Sequence, residues 1–304
     1  MNAEETKHIL VTKTDQIERP NFLTRLVHFL DRTPVHALII LISLVWLTPT
    51  IGLLVSSFRP ASLVASTGWW TAFQPPLHFT LNLYRQALEA NGMATSFVNS
   101  LFITIPATVI PILIAAFAAF AFAWMDFPGR NLLFVLVVGL LVVPLQTTLI
   151  PILRIYNKLH LSGTFPGIWL AHTAYGLPFA VYLLRNFFGT LPRDMLESAY
   201  LDGASPFTAF LKLVLPLSIP AIASLAIFQF MWVWDDLLVA LVYLGGTPSV
   251  APMTVTISNL VSSLGAGWQL LTAAAFISMV LPLVIFFTLQ RYFVRGILAG
   301  SVKG

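Results

Sequence analysis

Apolar residues along this chain gather into runs long enough to cross a bilayer as helices, which takes about 20 residues for a hydrocarbon core of about 30 Å. Windows of about 19 residues predict six spans, at roughly 36–57, 97–125, 131–153, 166–187, 217–241 and 268–290. Prolines at 106, 111, 144, 151, 178 and 282 fall inside or beside them, where they predict kinks rather than ligands. Residues 1–35 break the pattern. They mix polar and charged positions without an apolar core ahead of a small-residue cleavage site, so a cleaved signal peptide is not expected. Within this arm Phe22, Leu23, Leu26, Val27, Phe29 and Leu30 alternate with Arg25 and Arg32, the pattern of an amphipathic helix on a membrane surface. The expected architecture is all-α and polytopic, with an arm over 1–35 and a six-helix transmembrane domain over 36–304.

Composition agrees with the pattern. Charged residues make up 9% of the 304 positions and hydrophobic ones 58%, against roughly 25% charged in a soluble domain, which excludes a soluble enzyme. The net charge of +4 does not indicate nucleic acid, because the basic residues form no patch with interleaved aromatics. They sort by side of the membrane instead. Lys7, Lys13, Arg19, Arg25, Arg32, Arg130, Arg185, Arg193, Lys212, Arg291, Arg295 and Lys303 fall on one side, and Arg59, Arg85, Arg154 and Lys158 on the other. By the positive-inside rule both termini are expected in the cytoplasm. The absence of cysteine excludes disulfides, thiolate metal sites and cysteine nucleophiles and leaves the redox compartment open. The longest outward loop, about 58–96, carries Gly68-Trp69-Trp70 and Pro75-Pro76 and is too short for a soluble receptor domain.

Charge concentrates in the segment between the fourth and fifth spans, about 188–216. Pro192 suits a first helical turn, and Asp194 places negative charge at the positive end of the helix dipole. Leu196, Ala199 and Tyr200 form an apolar stripe at i, i+3 and i+4, with Arg193, Glu197 and Ser198 turned elsewhere. Gly203 fits a left-handed cap, and Ser205-Pro206 reads as an N-cap with a first-turn proline. Leu215-Pro216 then interrupts the second helix. The segment therefore reads as helix, hinge, helix, held at the membrane face and suited to a soluble partner.

These residues resemble a family. Glu197-Ser198-Ala199, Asp202-Gly203-Ala204 and Leu215-Pro216 are similar to the E-A-A loop of bacterial ABC importer permeases, with Ser198 in place of the first Ala. Phe228-Gln-Phe-Met-Trp-Val-Trp-Asp-Asp236, the tail from Gln290 to Gly304, Asn82-Leu-Tyr84 and Asn99-Ser100 resemble the carbohydrate-uptake branch with its maltose-type G permeases. Asp235 stands where Asn is common. The resemblance spans roughly 36–304 and implies a type I importer permease fold in a bacterial inner membrane. It also implies that the segment around Glu197 is a coupling helix docking on a cytoplasmic ATPase, and that the basic tail lies against the ATPases. The implied partners are a second homologous permease, two ATPase subunits that bind the ATP and Mg, and an extracytoplasmic solute-binding protein. The implied cargo is a sugar, an oligosaccharide or glycoside. The chain itself has no Gly-Lys pair for a P-loop, so no cofactor is expected in it and any ATP is used by another chain.

Polar groups inside the spans are costly and mark a candidate pathway. Asn99, Gln146, Gln229, Trp232, Trp234, Asp235 and Asp236 supply amides, carboxylates and aromatic faces of the kind that hold sugars. Belt tryptophans and helix-bridging amides account for the same residues. The six histidines show no metal-ligand spacing, and no catalytic site is expected. An autonomous ion-coupled transporter is the alternative reading; it calls for ionisable residues at mid-span, a place where only Asp235 and Asp236 stand as exceptions. An intramembrane enzyme would need a nucleophile and base that the pattern does not supply.

Overall fold

The computed structural model describes residues 22–89, 92–260 and 267–301, with side chains for 33–89, 92–260 and 267–290. Most of the N-terminal arm and the side chains of the basic tail, including Arg291, Arg295 and Lys303, lie outside the described residues. Contacts divide the chain into two units, residues 1–53 and 54–304. Helix α1, Phe22–Ser57, supplies the first and runs into the second. It tolerates Pro34 and Pro49, and Ser43 and Thr48 turn their hydroxyls back onto the carbonyls of Ile39 and Leu44, which lowers the cost of placing these two hydroxyls in lipid.

The second unit continues through α2 (Ala61–Ser66), a 3₁₀ turn (Trp69–Phe73), α3 (Asn82–Glu89) and α4 (Met93–Trp124). Then come α5 (Arg130–Gly139), α6 (Leu145–Lys158), α7 (Phe165–Phe188), α8 (Arg193–Leu201) and α9 (Pro206–Ala209). A π turn over Phe210–Val214 leads to α10 (Leu215–Leu217), α11 (Ile219–Trp234), α12 (Leu238–Leu244), α13 (Met253–Ser258) and α14 (Trp268–Ser301). Among the described residues, four helices are long and apolar enough to span a membrane, and two bent pairs bring the total to as many as six.

The bent pairs differ from two of the predicted spans. The run expected over 131–153 is helical from Arg130 to Val142, breaks at Val143, and resumes at Leu145 with a bend of 101°. Pro144 explains the break, since it lacks an N–H and forces Val143 out of the helical region. The run expected over 217–241 ends at Trp234. Asp236 then starts α12, its carboxylate accepting from the backbone N–H of Val239 at 3.2 Å and of Ala240 at 2.9 Å.

At the centre, α4 and α7 pack along most of their length. Small residues make this approach close: Ala107, Ala115, Ala116 and Ala119 on α4, with Ala171, Gly176 and Ala180 on α7, are all buried. Gln229 on α11 seals the junction. Its Nε2 donates to the Ala107 carbonyl at 3.1 Å, and a Cβ at position 176 would lie 2.5 Å from its Oε1. Away from the spans, Arg59 is buried and donates to the carbonyls of Thr67 and Gly68 and the hydroxyls of Thr67 and Thr71. It binds the turn that follows α2 without any acidic partner among the described residues.

Gly176→Val should force α7 and α11 apart and cost about 1–3 kcal/mol, read as a lower thermal unfolding midpoint in detergent. Gly139→Ala, where nothing lies within 4 Å of the added Cβ, should leave the midpoint unchanged or raise it slightly.

Candidate coupling surface and translocation face

The charged segment folds as its punctuation predicts, with one shift. Pro192 is the N-cap of α8 rather than its first residue, and Asp194 lies in the first turn. Ser198 donates to the Asp194 carbonyl at 2.7 Å. Gly203 adopts φ +85°, and the amides of Gly203 and Ala204 donate to the carbonyls of Tyr200 and Ala199. Ser205 caps α9, accepting from the Thr208 N–H at 3.2 Å.

Only part of the expected apolar stripe turns inward. Leu196 is buried in one cluster with Leu184 and Phe188 of α7 and with Ala209, Phe210 and Val214 of the second arm. Ala199 is half-buried and Tyr200 exposed. Leu215 packs on the same cluster, while Pro216 is exposed. Each arm of the hairpin also carries a large apolar side chain left open: Leu201 is 88% exposed and Phe207 61%. Glu197 and Asp202 are exposed beside them. The hairpin, packed on the core through Leu196 and Ala209, thus presents open apolar side chains beside carboxylates.

The intramembrane candidates separate into two groups. Asn99 is buried and donates to the carbonyls of Ser249 and Ala251, both at 3.1 Å. Gln229 bridges to α4, and Trp234 is buried against Phe97 and Phe230 with its Nε1 donating to the Ser278 carbonyl at 3.1 Å. Asp236 caps α12 and lies 3.8 Å from Nε2 of the buried His172. The polar groups of these four are engaged within the fold. Trp232, Asp235 and Gln146 are exposed.

Trp232 belongs to a larger face that the sequence did not single out. Its ring meets His172 edge-on at 5.4 Å, and one to two turns further along the antiparallel pair Phe228 meets Phe179 at 6.5 Å. Phe179, Tyr182, Phe228, Trp232 and Asp235 are all exposed. The spacing of Phe228, Trp232 and Asp235 at i, i+4 and i+7 was readable as one side of a helix. The partnership with Phe179 and Tyr182 was not, because it depends on how α7 and α11 pair. Aromatic faces stack on C–H surfaces, and a carboxylate accepts from hydroxyls, so this face can hold a neutral polyol weakly along its length.

Replacing Gly203 by Val puts a β-branched residue at positive φ, at a cost of about 1–2 kcal/mol. The expected result is faster proteolytic cleavage within 199–206 with an unchanged helical circular dichroism spectrum.

Residues 92–299 match the family described as binding-protein-dependent transport system inner membrane component. The osmoprotective compounds uptake permease protein GgtD of Synechocystis sp. is 62% identical over 288 residues, covering 94% of this chain and 97% of that relative. The alpha-glucoside transport system permease protein AglG of Rhizobium meliloti is 57% identical over 241 residues, covering 78% and 63%. Among solved structures, a bacterial ABC transporter involved in the import of the acidic polysaccharide alginate matches with a TM-score of 0.73 at 20% identity, covering 88% of this chain and 98% of that one. At that identity the likeness shows the fold. With more than half its length matched and a relative at 62% identity over nearly the whole of both chains, this chain belongs to the family of binding-protein-dependent inner-membrane components, the permeases of ABC importers.

Proposed function

We propose that the chain is the transmembrane subunit of an ATP-driven importer for a neutral glycoside or oligosaccharide, handed over by an extracytoplasmic binding protein. The observation that carries the reading is the α8–α9 hairpin. Leu196 and Ala209 anchor it in the transmembrane core, while Leu201, Phe207, Glu197 and Asp202 stay open for another protein. Two cytoplasmic ATPase subunits would hold ATP and Mg, and a second homologous permease would complete the pathway. Both termini would lie in the cytoplasm, on the same side as the hairpin, following the distribution of Lys and Arg.

The substrate class rests on two supports. Relatives are named for alpha-glucosides and for osmoprotective compounds, and the exposed face on α7 and α11 offers aromatic rings with one carboxylate, Asp235, at its end. We assign Trp232 and Asp235 to contact with the passing solute and Asn99, Gln229, Trp234 and Asp236 to holding that face in shape. Family membership weighs against autonomous ion-coupled transport.

In proteoliposomes holding the complete importer, uptake of a labelled alpha-glucoside should require ATP and the binding protein. Glu197→Lys should cut uptake by about tenfold or more, the effect of reversing one charge in a docked interface, while basal ATP hydrolysis persists. Uptake driven by an ion gradient without ATP would contradict the reading. The double substitution Trp232→Ala with Asp235→Asn should change the uptake rates of competing sugars relative to one another, and unchanged preference would remove both residues from the pathway.

A further inference from the structure

Where the spans end beside α8, an open cleft of about 530 Å³ lies between Trp124 at the end of α4, Arg130 at the start of α5, Arg185 in the last turn of α7, and Arg193, Glu197 and Tyr200 on α8. Its charges do not balance from within. Arg130 is paired, donating to Asp126 at 2.8 Å and to the Met125 carbonyl at 3.0 Å. Arg185 is fixed but underused. Its guanidinium lies 4.8 Å from the centroid of the Phe134 ring, its only acceptor among the described residues is Asn186 Oδ1 at a long 3.4 Å, and its Nε is buried without any among them.

Across the cleft, the indole Nε1 of Trp124 is likewise buried without an acceptor. Buried donors are paired in nearly all native sites, so two such donors lining one cleft call for an oxygen-rich ligand. With Arg130 and Asp126 neutralising each other, Arg185 and Arg193 face the single carboxylate of Glu197, which leaves one positive charge. A ligand group with one negative charge and several acceptor oxygens matches this, and a phosphodiester has both.

The position identifies the source. Trp124 closes one span and Arg185 lies in the last turn of another, which is the depth of lipid headgroups. The neighbouring helix α5 presents exposed Leu132, Leu133 and Leu136, an apolar track for acyl chains that a free phosphate would not use. We propose that this cleft binds the phosphate of an anionic phospholipid, with Arg185 and Trp124 donating to its oxygens and Arg193 joining it from α8. The bound headgroup would brace the docking hairpin against the ends of α4 and α7. The inference does not depend on the identity of the transported solute.

Native mass spectrometry of the assembled importer from nanodiscs of phosphatidylcholine and phosphatidylglycerol tests this directly. A phosphatidylglycerol molecule should stay with each copy of the chain. Trp124→Phe with Arg185→Gln should lower its retention about tenfold or more, as expected for losing charge-assisted hydrogen bonds, while Arg85→Gln, at an exposed pair with Glu89, should not. Arg185→Lys keeps charge and bulk for the case where the double variant fails to assemble, and it should still retain less lipid than the unaltered chain. Equal retention in Arg185→Lys and the parent would overturn the proposal. Release of the lipid by inorganic phosphate, or protection of Arg185 from arginine-directed labelling by phosphate alone, would make free phosphate the ligand and overturn the lipid assignment.

Discussion

A bilayer offers no water to unpaired backbone groups, so every place where this chain leaves a helix inside the membrane must be closed by the chain itself. That constraint explains the uses to which its few polar side chains are put. Asp236 accepts from two amides and lets the chain turn from α11 into α12. Asn99 takes the carbonyls of Ser249 and Ala251, and the Gly163 amide donates to the Tyr243 carbonyl at 2.7 Å. Tyr243 continues the closure, its hydroxyl bonded to Tyr175, which is bonded in turn to Thr148 on α6. The exposed carboxylate of Asp235 and the half-open ring of Trp232 stand out beside Asn99, Gln229, Trp234 and Asp236, whose polar groups are engaged within the fold.

The same economy links the two ends of the chain's working parts. Leu196 seats α8 among Leu184 and Phe188, which are the last turns of α7, and the second arm of the hairpin leads through Leu215-Pro216 into α11. Helices α7 and α11 are also the pair that carries Phe179, Phe228 and Trp232. The hairpin is therefore joined to the aromatic face by the packing of Leu196 on the last turns of α7 and by the chain that enters α11 through a 73° bend at Ser218. Gly203 adds the hinge, and its left-handed φ is what lets α8 and α9 diverge while Leu196 remains buried.

Much of this was legible from residue order because it depends on local chemistry. Run length marked the spans, Gly203 and Ser205-Pro206 marked the hinge and cap, and the E-A-A resemblance marked the family. What was not legible depends on partners distant in sequence. Pro144 announces a break but not a 101° bend. The apolar run through Leu237–Leu241 concealed the end of α11, because the role of Asp236 as a cap only shows once Val239 and Ala240 are seen to donate to it. Gln229 reads as a polar residue in a costly place until Gly176 and the Ala107 carbonyl are found against it. Tyr200, placed on the buried stripe by its spacing, is exposed because α8 turns only Leu196 fully into the core.

The central claim, that the α8–α9 hairpin is the surface on which the motor docks, is open to a direct test because the chain contains no cysteine. Leu201→Cys would carry the chain's only thiol at a hairpin position that is 88% exposed. A short reagent that is thiol-reactive at one end and photoactivated at the other, applied to the assembled importer, should join it to an ATPase subunit, with a yield that changes when ATP is added. A thiol at Leu77, exposed in the loop that precedes α3, should give no such product. Absence of the Leu201→Cys product in an importer that still transports, or an equal product from Leu77→Cys, would contradict the account.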